Sequence, residues 1–326
     1  MQNPAAAPHN SNATTRRRWL SAAGVQTAGL GALHEFWGNI ARAGSQPNNG
    51  PSPAAHNSRA KSVIMIFNCG APSHLDPNAM DFQVPGMKLD AAITQPRLQD
   101  RQSLLQSLDA QGRLITSEIT ADVDVQRAKA LGLISSDTAS EVFDLTREPD
   151  SVRDRYGRHS WGQSHLLARR LIEAGSRFVT TVNGPSITWD THKDNFNQMK
   201  NRLVPPMEKA YVALLDDLSE RGLLDETLVI WMSDFGRTPI INKDAGRDHW
   251  PQCYSMVLAG GGIRGGQVIG ESDRTGAYPF VRPVTPADIH ATVFAALGYD
   301  AQHIHYHMTD GRPMPVCDGN VIHDLI

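Results

Sequence analysis

Ser62-Val-Ile-Met-Ile-Phe67 is a continuous apolar run between polar flanks, the pattern of a strand buried on both faces. Arg177 to Asn183, Thr227 to Ser233 and Tyr254 to Ala259 predict three further strands. Between them the spacing of apolar positions turns helical. Leu166, Leu167, Leu171 and Ile172 share one face of a helix over Trp161 to Ala174, which Gly175 ends. Asp194 to Leu218 reads as one long helix that Pro205-Pro206 must kink or break. Thr285-Pro286 opens a last helix, with an N-cap and a proline in the first turn, that stops near Gly298. Polar-apolar mixtures over residues 98–145 predict two or three surface helices. Strands alternating with helices specify an α/β fold, a mostly parallel sheet with helices on both faces.

The N-terminal stretch is of a different kind. Thr15-Arg16-Arg17-Arg18-Trp19-Leu20, the mild apolar run Ser21 to Leu33 and Ala41-Arg42-Ala43 form a twin-arginine export signal with its cleavage site. Residues 1–43 are therefore expected to be a signal peptide and 44–60 a flexible Pro/Asn/Ser-rich linker. Residues 61–326 are then a single α/β domain, exported by the twin-arginine translocase to the periplasm or beyond. Without residues 1–43 the net charge falls from −3 to −6, which removes the electrostatic support for nucleic-acid binding. No apolar run is long and hydrophobic enough to predict a membrane span. Three widely spaced cysteines, Cys69, Cys253 and Cys317, form no disulfide framework and read as packing residues.

Functional groups of parallel α/β sheets gather in loops at the carboxyl ends of strands. Three such loops carry Asp and His together: His74 with Asp76; Asp190 with His192; and Asp234, followed by Asp248-His249. Mixed carboxylate and imidazole donors suit zinc, manganese or iron, with calcium a weaker candidate. Any one Asp-His pair can equally cap a turn; recurrence after separate strands is what points to a divalent metal. Arg237 and Arg247 flank the acidic groups and fit either a phosphate or sulfate group or salt bridges to Asp234 or Asp248. Asp234-Phe-Gly236 lacks the companions of a kinase metal motif. Gly260 to Gly265 fits the glycine spacing of a dinucleotide loop, but Gly266 to Gly270 after it reads as a hairpin rather than the helix such a site needs. His303, His305 and His307 would share one face of a strand, but the segment reads as a polar surface loop.

Arg153-Asp-Arg-Tyr-Gly157, Trp161-Gly-Gln163, Trp189-Asp-Thr-His192, Ser233-Asp-Phe-Gly-Arg-Thr-Pro239, Gly246-Arg-Asp-His-Trp250 and Leu258 to Gly266 resemble the domain-of-unknown-function 1501 family. That resemblance, which also takes in Lys61 to Asp76, implies an alkaline-phosphatase-like and sulfatase-like three-layer αβα sandwich. It also implies metal ligands at Asp190, His192, Asp234, Asp248 and His249, with weaker ones at Asp76 and His74. Phe235 stands where hydrolases of that superfamily usually carry a ligating histidine. Relatives generally have a long segment after the first motif; here Asp76 runs straight into Pro77-Asn-Ala-Met-Asp-Phe82, which implies an internally shortened, incomplete sandwich. Ser73 is the hydroxyl that this leaves as nucleophile. The expectation is an exported metal-dependent hydrolase of a small-molecule or polysaccharide phosphate or sulfate ester. The alternative is an inactive binding protein on the same scaffold, with an anionic polysaccharide as ligand.

Overall fold

A computed structural model describes residues 60–68, a few positions between 96 and 107, and residues 141–326 apart from 185–187 and 309. The signal peptide, the linker, Cys69, Ser73, His74, Asp76 and most of the expected helices over 98–145 lie outside the described residues. Among the described residues, no helix is long and apolar enough to cross a membrane.

The sheet is mixed, in the order β2-β1-β3-β6. Strands β1 (Ser62–Phe67), β2 (Phe178–Val182) and β3 (Thr227–Met232) run parallel, and β6 (Val257–Ala259) closes the row antiparallel to β3. β1 sits in the middle because Val63, Ile64 and Ile66 leave it no solvent face: each is at most 1% exposed. Side chains alternate along a strand, so Ile64 and Ile66 of β1 point the same way as Val229 and Trp231 of β3. That face packs on helices α1 (Asp150–Tyr156), α2 (Ser160–Glu173) and α4 (Val204–Glu220) through Tyr156, Leu166, Ile172, Leu214 and Leu218. On the other face Val63, Leu228 and Ile230 are buried as well. Helix α5 (Pro286–Ala296) is joined to the start of β1 by the Ala60 N–H, which donates to the Ala296 carbonyl at 3.3 Å.

The expected helix over Asp194 to Leu218 is interrupted. A short α3 (Asn195–Gln198) runs into a π-helical turn, Met199–Leu203, before α4 begins. Pro205 and Pro206 have no N–H to donate to carbonyls one turn back, and Val204 N–H reaches the Met199 carbonyl, five residues back. The last helix matches its signals: the Thr285 hydroxyl accepts from Asp288 N–H while Asp288 accepts from Thr285 N–H. Three short antiparallel strand pairs lie outside the main sheet. They pair β4 (Gly236–Arg237) with β5 (His249–Trp250), β7 (Glu271–Ser272) with β8 (Pro279–Val281), and β9 (His305–His307) with β10 (Pro313–Pro315). β9 corrects the surface-loop reading of the histidine run: Tyr306 is held opposite Met314 in an antiparallel ladder. His303 lies outside that strand and pairs with Asp300 at 2.7 Å.

Candidate metal centre

The carboxyl ends of β1, β2 and β3 lie side by side, and Asn68 marks that edge: its side-chain oxygen accepts from Asn183 Nδ2 at 3.0 Å. The chain after β2 returns along the loop of Trp189 to Asn195, and the chain after β3 enters the β4–β5 hairpin. Backbone bonds lace these two segments together. Arg247 N–H donates to Thr191 O at 3.1 Å, Asp194 N–H to Asp244 O at 3.0 Å and Asn195 N–H to Ala245 O at 2.9 Å. Lys193 and Ala245 form an antiparallel bridge. Gly246 is required where the segments cross, since a Cβ there would overlap the His192 carbonyl group.

Lacing brings together three side chains separated by up to 59 residues. Asp190, His192 and His249 offer ligand atoms that all lie within 4.8 Å of one another. His192 Nε2 stands 3.2 Å from His249 Nε2, and His249 Nε2 stands 2.9 Å from Asp190 Oδ1. Two donors about 2.0–2.1 Å from one tetrahedral ion are roughly 3.3 Å apart, so the two short separations match a shared cation, and the full span of the set, up to 4.8 Å, would draw in around it. Both imidazole side chains are nearly half exposed, leaving the centre open to solvent.

Within the triad, His192 is held from behind, while Asp190 is held through Oδ1 itself. Asp248 Oδ1 lies 2.7 Å from His192 Nδ1, which puts the ring proton on Nδ1 and leaves Nε2 with a free lone pair. Hydrogen bonds from His192 and Asn242 hold the Asp248 carboxyl below the usual carboxylate range. Burial pushes the Asp190 pKa upward, but the hydrogen bonds from Arg237 and His249 outweigh it and keep the group below its ordinary value. Arg237 donates through Nη2 to Asp190 and to the Trp189 carbonyl, the latter at 2.9 Å. Arg247 donates through Nη1 to the carbonyls of Thr238 and Pro239, at 2.6 and 2.7 Å, and lies over the Phe196 ring.

A cavity of about 390 Å³ opens beside Asp190. Trp189, Trp231, Met199 and Phe235 give it apolar walls, while Asn68, Ser233, Asp234 and both arginines supply polar ones. Its wall is stiffened from below, where Trp161 stacks on Trp189 at 5.6 Å and packs with Leu203 and Met207.

Of the residues expected at the site, Asp190, His192 and His249 meet. Asp248 stands behind His192, and the two arginines border the cavity. Asp234 also lines the cavity but is not in the triad; its Oδ1 accepts from the Phe235 N–H at 3.1 Å. Arg237 pairs with Asp190 rather than with Asp234 or Asp248. Phe235 packs its ring 4.3 Å from that of His249. The sequence reading passed over Asn242, whose amide bonds both His192 and Asp248. Its signal was present as a turn former, in Asn242-Lys-Asp-Ala-Gly246, ahead of the Arg-Asp-His run.

No curated protein and no solved structure matches the chain. A family model does match, over residues 77–326, and its description is a protein of unknown function, DUF1501. The match takes in both segments that carry the triad, and the chain belongs to the DUF1501 family.

Proposed function

We propose that this is an exported, metal-dependent hydrolase of phosphate or sulfate esters, built on a scaffold like that of alkaline phosphatases and sulfatases. The observation that carries the reading is the convergence of Asp190 Oδ1, His192 Nε2 and His249 Nε2, from two separate loops, beside a cavity with two arginines in its wall. The donor set fits zinc or manganese: one carboxylate and two imidazoles, of which His192 Nε2 offers its lone pair directly and His249 Nε2 would first give up the proton it donates to Asp190. When bound, such an ion supplies Lewis acidity for a non-bridging ester oxygen.

The chain's own residues do the rest. Asp248 fixes the ring of His192 through Nδ1, and Arg237 fixes Asp190. Arg247 keeps its guanidinium at the cavity wall, where it can hold an anionic ester group against the apolar sides. The cavity hydroxyls of Ser233 and Thr191 donate to the Phe235 carbonyl and the Asn195 side-chain oxygen, so neither is spent on a ligand-orienting role. Ser73, the nearby hydroxyl left once the family's usual nucleophile region is missing, is the candidate nucleophile.

Elemental analysis of the purified protein should find close to one transition-metal ion per folded chain. Hydrolysis of p-nitrophenyl phosphate or sulfate should then be lost on chelation and in His249→Ala. A metal-free protein inert on both esters would overturn the proposal. Two observations favour an inactive anionic-polysaccharide-binding protein instead: Phe235 occupies the position beside His249, and Arg237 is committed to Asp190. On that reading the metal is present, both esters are left intact, and His249→Ala weakens polysaccharide binding.

A further inference from the structure

Asn242 touches neither the triad's donor atoms nor the cavity, yet every hydrogen-bonding site of its amide is used. Its Oδ1 accepts from Asp244 N–H at 3.0 Å and from Gly246 N–H at 2.9 Å. Its Nδ2 donates to the His192 carbonyl at 3.0 Å and to Asp248 Oδ1 at 3.1 Å. One side chain therefore closes the turn of residues 242–246 and ties that turn to both ends of the unit that orients His192. The same Asp248 oxygen receives the bond from His192 Nδ1. An aspartate could not donate to either partner, and a glutamine would place its amide one methylene too far from the turn. The turn itself needs support, because Ala245 is held at φ 54°, a left-handed conformation that side chains disfavour.

We propose that Asn242 is a positioning residue of the metal centre, fixing the His192 ring in the orientation and the Nδ1–H tautomer that leave Nε2 available to a cation. This rests on the reading of Asp190, His192 and His249 as a metal site. Partners behind a ligating histidine commonly account for about 10–100-fold in metal affinity. The loss of Asn242 is expected in that range.

Asn242→Ser is the variant of choice. Serine still suits the turn and can accept from its N–H groups, but is too short to reach His192 O and Asp248. Zinc titration of the metal-free full chain should give an affinity about 10–100-fold weaker than wild type. Nitrogen-15 NMR of the metal-free protein should show His192 passing from a single Nδ1–H form to a tautomer mixture, a change that mere weakening of the turn would not produce. If Asn242→Ser folds poorly, it is repeated on Ala245→Gly, whose glycine adopts the left-handed conformation without the cap. Wild-type zinc affinity together with an unchanged His192 tautomer, in either background, overturns the proposal. Failure of the wild-type chain to bind zinc would instead remove the metal reading, and the tautomer signal would still judge Asn242.

Discussion

In helix α2 the imidazole of His165 is fully buried; its Nδ1 lies 2.7 Å from the Trp161 carbonyl while Nε2 meets no partner. A carbonyl only accepts, so Nδ1 carries the proton, and charging the ring would place a second N–H where nothing solvates it. Burial accordingly lowers its pKa from 6.5 to about 4, with the Trp161 hydrogen bond opposing. The unfolded chain takes up a proton near pH 6.5 that the folded one accepts only near pH 4. Stability from this residue is therefore present above pH 6.5 and declines as the pH falls to about 4, by roughly 3 kcal/mol. Urea unfolding at a series of pH values should show this slope in wild type and a clearly shallower one in His165→Gln. Equal slopes in the two proteins would show that His165 titrates normally in the fold.

At the scale of elements, the clearest signals were those in which one local rule decides the outcome. Beyond their opening Ser62 and Thr227, strands β1 and β3 are apolar because helices and chain cover both faces, and that pattern needs no partner to be read. Helix α5 announced itself through Thr285, Pro286 and Asp288, and its cap carries a second contact: Asp288 Oδ1 accepts from Asn320 N–H at 2.8 Å. Thr285→Ala should lower stability by about 1 kcal/mol, read as a drop in the urea midpoint at unchanged slope. A midpoint equal to wild type would mean that the cap is redundant with the Asp288–Asn320 contact. The candidate site was legible as residue types recurring after strands, which is how Asp190, His192 and His249 came into view. Their division of labour was not. Whether Asp248 faces a cation or the back of His192 depends on which ring nitrogen points which way, and Arg237 finds Asp190 from 47 residues away. The π-turn at Met199–Leu203 was visible only as a proline-induced break; its Met199 and Leu203 pack with Trp161 and Met207, contacts that no local pattern announces. Two of the motifs behind the family resemblance are structural. Tyr156 is buried against Asp217, Gln163 bonds the carbonyls of Arg153 and Gly157, and Gly162 leaves no room for a Cβ beside Tyr156 O.

Across the whole molecule, two sets of ion pairs among the described residues stand apart: one buried among the helices and one more exposed at the carboxyl edge of the sheet. Arg169, 1% exposed, is the hub of the first. It pairs with Asp217 at 2.9 Å, Glu148 at 2.9 Å and Glu173 at 2.6 Å, joining α2 to α4 and to the chain before α1. Burial presses the pKa of Asp217 upward, but Arg221, Arg169 and the Tyr156 hydroxyl together hold it below its usual value. Glu148 is likewise lowered, its burial outweighed by Arg169 and Arg170. Both groups therefore stabilise the fold above the ordinary carboxylate range and cease to do so as acid protonates them below it. Arg169→Met removes the shared cation while leaving these acids buried, and it should cost about 3–5 kcal/mol, more than deleting an exposed pair such as Lys61–Glu226. None of the network's residues belongs to the triad or lines the cavity beside it. Below the unfolding midpoint, Arg169→Met should therefore bind zinc as wild type does, and its stability loss should add to that of His249→Ala in the metal-free double variant. Loss of zinc affinity in a folded Arg169→Met protein would mean that the helices behind the sheet set the geometry of its carboxyl edge, and that the two sets of charges act as one.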